Sequence, residues 1–128
     1  MKLYEKVARA TDVGGQPYSP PTKNDAGGPP PDLVYTLHPD LCDTETYTLG
    51  HSNDVFVNTY GVHRLTDLNR PHRAPEYLCL LTHTMPIEEA SYTVFANALG
   101  VARVDDPYLN CGVVASGSPD VWAGGGIV

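Results

Sequence analysis

The chain is poor in basic charge: eight Lys and Arg stand against fifteen Asp and Glu, a formal charge of −7 at pH 7. Binding to nucleic acid needs cations gathered on one face. Here they are scattered, so no nucleic-acid partner is expected. No apolar run is long enough to span a bilayer, and no hydrophobic segment follows Met1-Lys2-Leu3-Tyr4-Glu5-Lys6, so no signal peptide is expected. No stretch carries a helical period of apolar residues over three turns, and 86–90 is the one candidate for a brief helix. Three cysteines (Cys42, Cys79 and Cys111) are an odd count without scaffold-like spacing. Reduced thiols or metal ligands are expected rather than a disulfide framework. Cys79, between Leu78 and Leu80, reads as a small buried hydrophobe.

What the chain does have is a repeat. Val55-Phe56-Val57-Asn58-Thr59-Tyr60-Gly61-Val62-His63-Arg64-Leu65-Thr66-Asp67 returns as Val94-Phe95-Ala96-Asn97-Ala98-Leu99-Gly100-Val101-Ala102-Arg103-Val104-Asp105-Asp106, with Ser52 matching Ser91 upstream. Val7-Ala8-Arg9-Ala10-Thr11-Asp12 repeats the second half, and Ser118-Pro119-Asp120-Val121-Trp122-Ala123-Gly124-Gly125 the first. A repeat fixes architecture before local propensity does, and here the two chain ends together complete a third copy. Within a copy, alternating β-branched and aromatic residues predict a strand, Asn-x-x-Gly a hairpin turn, and the return arm a second strand. The expected fold is therefore all-β: a small cone of three short hairpins with pseudo-three-fold symmetry, in a single domain spanning 1–128. Residues 12–50 form a Pro/Gly-rich inserted loop segment, extended and polyproline-like up to Pro31, with Leu33-Val34-Tyr35-Thr36-Leu37 a candidate further strand.

Ligand-type residues fall at matched places in this repeat. His72 follows Asp67 at the same spacing as Cys111 follows Asp106, and three-fold packing would bring equivalent positions together on the axis. Imidazole and thiolate meeting there suit Zn²⁺, which takes four such ligands and stabilises domains with thin cores. The first copy offers only Pro17 and Tyr18 at the matching offset after Asp12, so its ligand must come from the inserted segment. His38 is the first choice and Cys42 the second. His83, in the connector before the second full hairpin, completes the set. The expected metal ligands are His38, His72, His83 and Cys111, with His51 and His63 left out. Phe56, Phe95 and Trp122 occupy equivalent places and are expected to pack in the core, with contact to a partner as the alternative. Glu88, Glu89, Asp105 and Asp106 are expected on a solvated surface.

The pattern Ser-x-x-Val-Phe-x-Asn-x-x-Gly-Val-x-Arg-x-x-Asp, closed by Cys111-Gly112 and Gly117-Ser118-Pro119-Asp120-Val121-Trp122, resembles the PAAR-repeat proteins, in particular their short phage-type members. The resemblance covers about 50–125 and 7–12. It departs from the family in lacking a literal Pro-Ala-Ala-Arg, for which Gly61-Val62-His63-Arg64 and Gly100-Val101-Ala102-Arg103 stand. A further departure is the Pro-rich segment that replaces a His after the first Asp. The resemblance implies a non-enzymatic tip that caps the trimeric β-helical spike of a contractile injection machine, one chain per trimer, in transient contact with the target cell envelope. It implies a structural zinc, with iron as the alternative, and supports His72, His83 and Cys111 as ligands. A phage-tail baseplate in the virion is the expected location, since the chain ends at Gly124-Gly125-Gly126-Ile127-Val128 without room for a toxin. The alternative is a type VI secretion tip, cytoplasmic and then secreted, on which an effector docks. A zinc hydrolase would need an open metal position and a general base, and no His-Glu-x-x-His motif is present.

Overall fold

A computed structural model of the chain describes residues 4–11, 31–38 and 42–124. It is all-β: β1 Tyr4–Lys6, β2 Arg9–Ala10, β3 Leu33–Thr36, β4 Glu45–Tyr47, β5 Phe56–Val57, β6 Tyr60–Val62 and β7 His72–Arg73 lead through one 3-10 turn, Glu76–Cys79, to the rest. These are β8 Thr82–His83, β9 Phe95–Ala96, β10 Leu99–Gly100, β11 Pro107–Tyr108, β12 Gly112–Val114 and β13 Trp122–Gly124. The brief helix expected at 86–90 does not form. Ile87 instead bridges to Tyr108, and the Ile87 N–H donates to the Asp67 carbonyl, so a strand-like ladder takes the groups a helix would have used.

The split repeat closes as expected. β5 pairs with β6, β9 with β10, and β13 with β1 from the opposite chain end, in the register Tyr4↔Gly124, Glu5↔Ala123 and Lys6↔Trp122. The three copies then join head to tail. Arg9 faces Val62, Arg64 faces Val101 and Arg103 faces Val7. At the centre, the N–H of Ala8 donates to Ala102 O (2.9 Å), Ala102 to His63 O (2.8 Å) and His63 to Ala8 O (3.0 Å). This ring of three hydrogen bonds is the pseudo-three-fold axis expressed in the backbone, and it leaves no copy with a free inner edge.

Because side chains alternate along a strand, the ring separates two cores. Val7, Val62 and Val101 turn to one side with Ala96 and Ala123, the hairpin side. Ala8 and Ala102 turn to the other, against Val34, Ile87, Ala90, Tyr108, Cys111 and Val114. The outer wall of each copy is held by one device used three times. Ser52, Ser91 and Ser118 accept from the two N–H groups at each hairpin entry. Arg64 pairs with Asp67, and Arg103 with Asp106.

In the first copy the partner of Arg9 is Asp32: Nε and Nη2 reach its carboxylate at 3.1 and 3.0 Å, and the Arg9 N–H at 2.7 Å. The expected equivalent, Asp12, lies outside the described residues, as does the Pro-rich run to Pro30. The insertion therefore falls between Arg9 and its acid. In the described residues after Asp32, β3 and β4 complete a four-stranded sheet in the order β11-β12-β3-β4. Gly112 is required at the crossing of β12 and β3, since a Cβ there would overlap the Tyr35 carbonyl. Among the described residues no buried side-chain N or O lacks a partner.

Three sequence expectations are corrected. Asp106 is buried with Arg103 rather than solvated, because each copy folds its Arg back onto this carboxylate; Glu88, Glu89 and Asp105 are exposed. Phe56, Phe95 and Trp122 are not core residues: they are 55, 57 and 52% exposed, since the hairpin-side core is already filled by valine and alanine. Cys42 and Cys79 form a disulfide, their Cα atoms 5.3 Å apart, within normal disulfide reach. Asp43 brings them together by accepting from the Arg73 N–H (2.7 Å), which lays residue 42 beside the loop that carries Cys79.

The hairpin turns suggest one stabilising change. Asn58 and Thr59, like Asn97 and Ala98, take positive φ (53° and 70°, 53° and 66°), the two-residue turn that matches strand twist. Asn tolerates this conformation; Thr and Ala cost about 1–2 kcal/mol there. Ala98 is exposed, so Ala98→Gly is expected to raise stability by roughly 0.5–1 kcal/mol after glycine's own entropy cost. Urea denaturation checks this, and a lower midpoint would contradict the turn geometry.

Candidate metal centre

Four side chains from all three copies meet on the far side of the ring from the hairpins. β7 and β8 set His72 directly opposite His83. β3 and β12 run side by side, and the Leu37 N–H donates to Cys111 O (2.7 Å), which carries His38 and Cys111 to the same place. The Nε2 atoms lie 3.0 Å apart for His38–His83, 3.2 Å for His38–His72 and 2.9 Å for His72–His83. Cys111 Sγ stands 3.2, 3.7 and 3.8 Å from Nε2 of His72, His38 and His83. His38, His72, His83 and Cys111 thus form one group, all four donor atoms within 4.8 Å of one another, and it could hold a metal ion. Cys42, the second choice for the first ligand, is taken up in the disulfide.

The donor set passes a chemical test of fit. A tetrahedron with these edges has its centre about 2 Å from each corner, near the ~2.0–2.3 Å of zinc bonds to imidazole and thiolate. Nδ1 of His72 donates to Arg70 O (2.9 Å), so its Nε2 carries a lone pair aimed inward. Burial and the neighbouring rings of His83 and His38 lower the pKa of His72 and keep it neutral, as a ligand must be. Asn69 supports the thiol, its Nδ2 donating to Cys111 Sγ (3.5 Å) while its Oδ1 accepts from the Met85 N–H (2.9 Å). Outer contacts of this kind fix ligand orientation.

Sequence reasoning named the four residues that gather here but missed why His38 belongs. Once Asp32 is recognised as the acid of the first copy, His38 follows it at nearly the spacing of His72 after Asp67 and Cys111 after Asp106. That spacing was visible; the insertion after Arg9 concealed it. Asn69 carried no sequence signal.

His63 stays out of the centre. It fills the place of Ala8 and Ala102, fully buried, with Nδ1 donating to Gly50 O (2.6 Å) and Nε2 accepting from the Tyr108 hydroxyl (2.7 Å). Burial lowers its pKa from 6.5 to about 4 and pushes Tyr108 well above 10. Above pH 6.5 His63 is neutral both folded and unfolded. Between 6.5 and about 4 only the unfolded chain takes up the proton, so stability falls with pH, by about 3 kcal/mol in all. A double variant, His63→Ala with Tyr108→Phe, is expected to lose this part of the slope in denaturation at pH 7.5 and 4.5. Equal slopes would refute the assignment.

The chain matches no protein-family model and no curated protein.

Proposed function

We propose that the chain is a structural spike-tip protein of the PAAR-repeat kind, capping the trimeric β-helical spike of a contractile injection machine. The observation that carries this reading is a three-fold surface on a single chain. Phe56, Phe95 and Trp122 stand at equivalent positions, all about half exposed, on hairpins at the opposite side of the ring from the His/Cys group. Exposed aromatics in a symmetric set suit a partner with three identical faces. One pseudo-symmetric chain then closes three strand ends that would otherwise remain open.

The His/Cys group fits the same role. A zinc ion held by His38, His72, His83 and Cys111 would supply a cross-link between segments that hydrophobic burial alone holds weakly. The chain's own residues do the rest. His38 follows β3 and Cys111 precedes β12 at one edge of their sheet, His72 and His83 pair across β7 and β8, and Arg70, Asn69 and the Arg73–Asp43 pair brace their approach. Four protein donors leave no position for a substrate, which favours stiffness over hydrolysis.

The test is stoichiometry with a trimeric β-helical spike protein, read by size exclusion with light scattering. One tip chain per trimer is expected. The triple variant Phe56→Ser, Phe95→Ser, Trp122→Ser is expected to weaken binding at least ~100-fold, in line with loss of central aromatic anchors. Binding of three chains per trimer, or binding indifferent to the triple variant, would contradict the reading.

A further inference from the structure

The most exposed apolar side chains of the described residues are not at the hairpins. Leu78 is 89% exposed, Leu80 78% and Leu81 54%, all in the loop between β7 and β8, and Leu37 beside His38 is 78% exposed. Large apolar side chains in such number on one short loop are unusual on a soluble surface. This loop is also firmly anchored. His72 and His83 stand at its two ends, Ala74 N–H donates to Leu81 O (3.3 Å), and Cys79 is tied to Cys42. Leu78 and Cys79 hold left-handed φ of 56° and 64°, a conformation disfavoured for both, which turns Leu78 away from the protein. The loop is thus a fixed apolar projection beside the metal group.

We propose that Leu78, Leu80 and Leu81, on the loop that joins His72 to His83, form an apolar tip that enters the hydrocarbon of a neutral lipid bilayer. Two features select lipid over protein. A stable protein interface engages ~20–30 residues on each side, and three leucines on a projecting loop fall far below that. A bilayer needs no complementary groove: each leucine that enters gains its own transfer free energy. Charge selects the kind of lipid, because a chain of net charge −7 is repelled by an anionic surface and tolerated by a zwitterionic one. This deepens the spike-tip reading and rests on it only for the occasion on which the tip meets a membrane.

The experiment is co-sedimentation of zinc-loaded protein with phosphatidylcholine vesicles, alongside the exposed-site variant Leu78→Ser, Leu80→Ser, Leu81→Ser. Wild type is expected to sediment with the vesicles, and the variant at least ten-fold less, with unchanged zinc content and melting temperature. Adding phosphatidylglycerol is expected to weaken binding. The chain's single tryptophan, Trp122, lies on β13 beside Ala123 of the hairpin-side core and reports which end enters. Its emission is expected to stay unshifted on binding. No sedimentation of wild type, equal sedimentation of the variant, or a blue shift of Trp122 would each overturn the proposal. Failure here with one-to-trimer capping intact would leave the spike reading standing. Leucine-dependent vesicle binding without capping would leave only the lipid site.

Discussion

Replacing Asp106 with alanine is expected to bring the protein to the edge of unfolding. Its carboxylate receives Arg103 three times, from Nε at 3.0 Å, Nη2 at 3.1 Å and the backbone N–H at 2.7 Å, and both side chains are only 2% exposed. Removing the acid leaves a guanidinium buried with no counter-charge, a change that costs about 3–5 kcal/mol, against about 5–15 for a whole domain. The damage also spreads, because Arg103 Nη1 donates to Gly124 O (3.0 Å) and so ties the C-terminal strand to the copy that carries Arg103. The repeat supplies an internal control. Arg64 and Asp67 make the same contacts at 17% and 12% exposure, where water can take over part of the lost charge. Asp67→Ala is therefore expected to cost less than half as much. Asp32→Ala should resemble Asp106→Ala, since Arg9 and Asp32 are equally buried; burial outweighs the arginine there and raises the carboxyl's pKa. Urea midpoints of the three variants give the order directly. Equal losses at all three sites would mean that burial does not govern these pairs.

Loss of the metal group is the second large effect. His72→Ala and Cys111→Ala are each expected to abolish tight zinc binding and to lower stability by ~5 kcal/mol or more, since structural zinc contributes its binding free energy to folding. For a domain of this size that is a fall in melting temperature on the order of 15–25 °C. A chelator should reproduce the shift in wild type and add nothing in either variant. His51→Ala, a histidine outside the group whose Nδ1 lies 2.9 Å from the Ser52 carbonyl, should retain the metal. Metal retention in both ligand variants would remove the reason for grouping these side chains.

The repeat made much of this legible in advance. Matching Val-Phe-x-Asn stretches announced the hairpins, and the half-copies at the two ends announced the pairing of β1 with β13. Equal offsets after Asp67 and Asp106 pointed to His72 and Cys111. What stayed hidden depends on packing rather than on pattern. Phe56, Phe95 and Trp122 looked like core because they are large and periodic, yet valines and alanines one strand position away fill the space around the axis. Asp106 looked solvated because its neighbour Asp105 is. Only the folded turn, with Asp105 at φ 73°, sends the two carboxylates in opposite directions. The Cys42–Cys79 pair required knowing that Asp43 docks on Arg73. The insertion hid Asp32, because the acid of the first copy stands far from its arginine in sequence.

On the proposed reading, a single metal ion held by His38, His72, His83 and Cys111 pins the three copies together. X-ray absorption on purified zinc-bound protein tests it most directly. One zinc per chain is expected, with three nitrogen neighbours near ~2.0–2.1 Å and one sulfur near ~2.3 Å. A protein that retains no metal, or a zinc whose shell contains water oxygen and no sulfur, would contradict it.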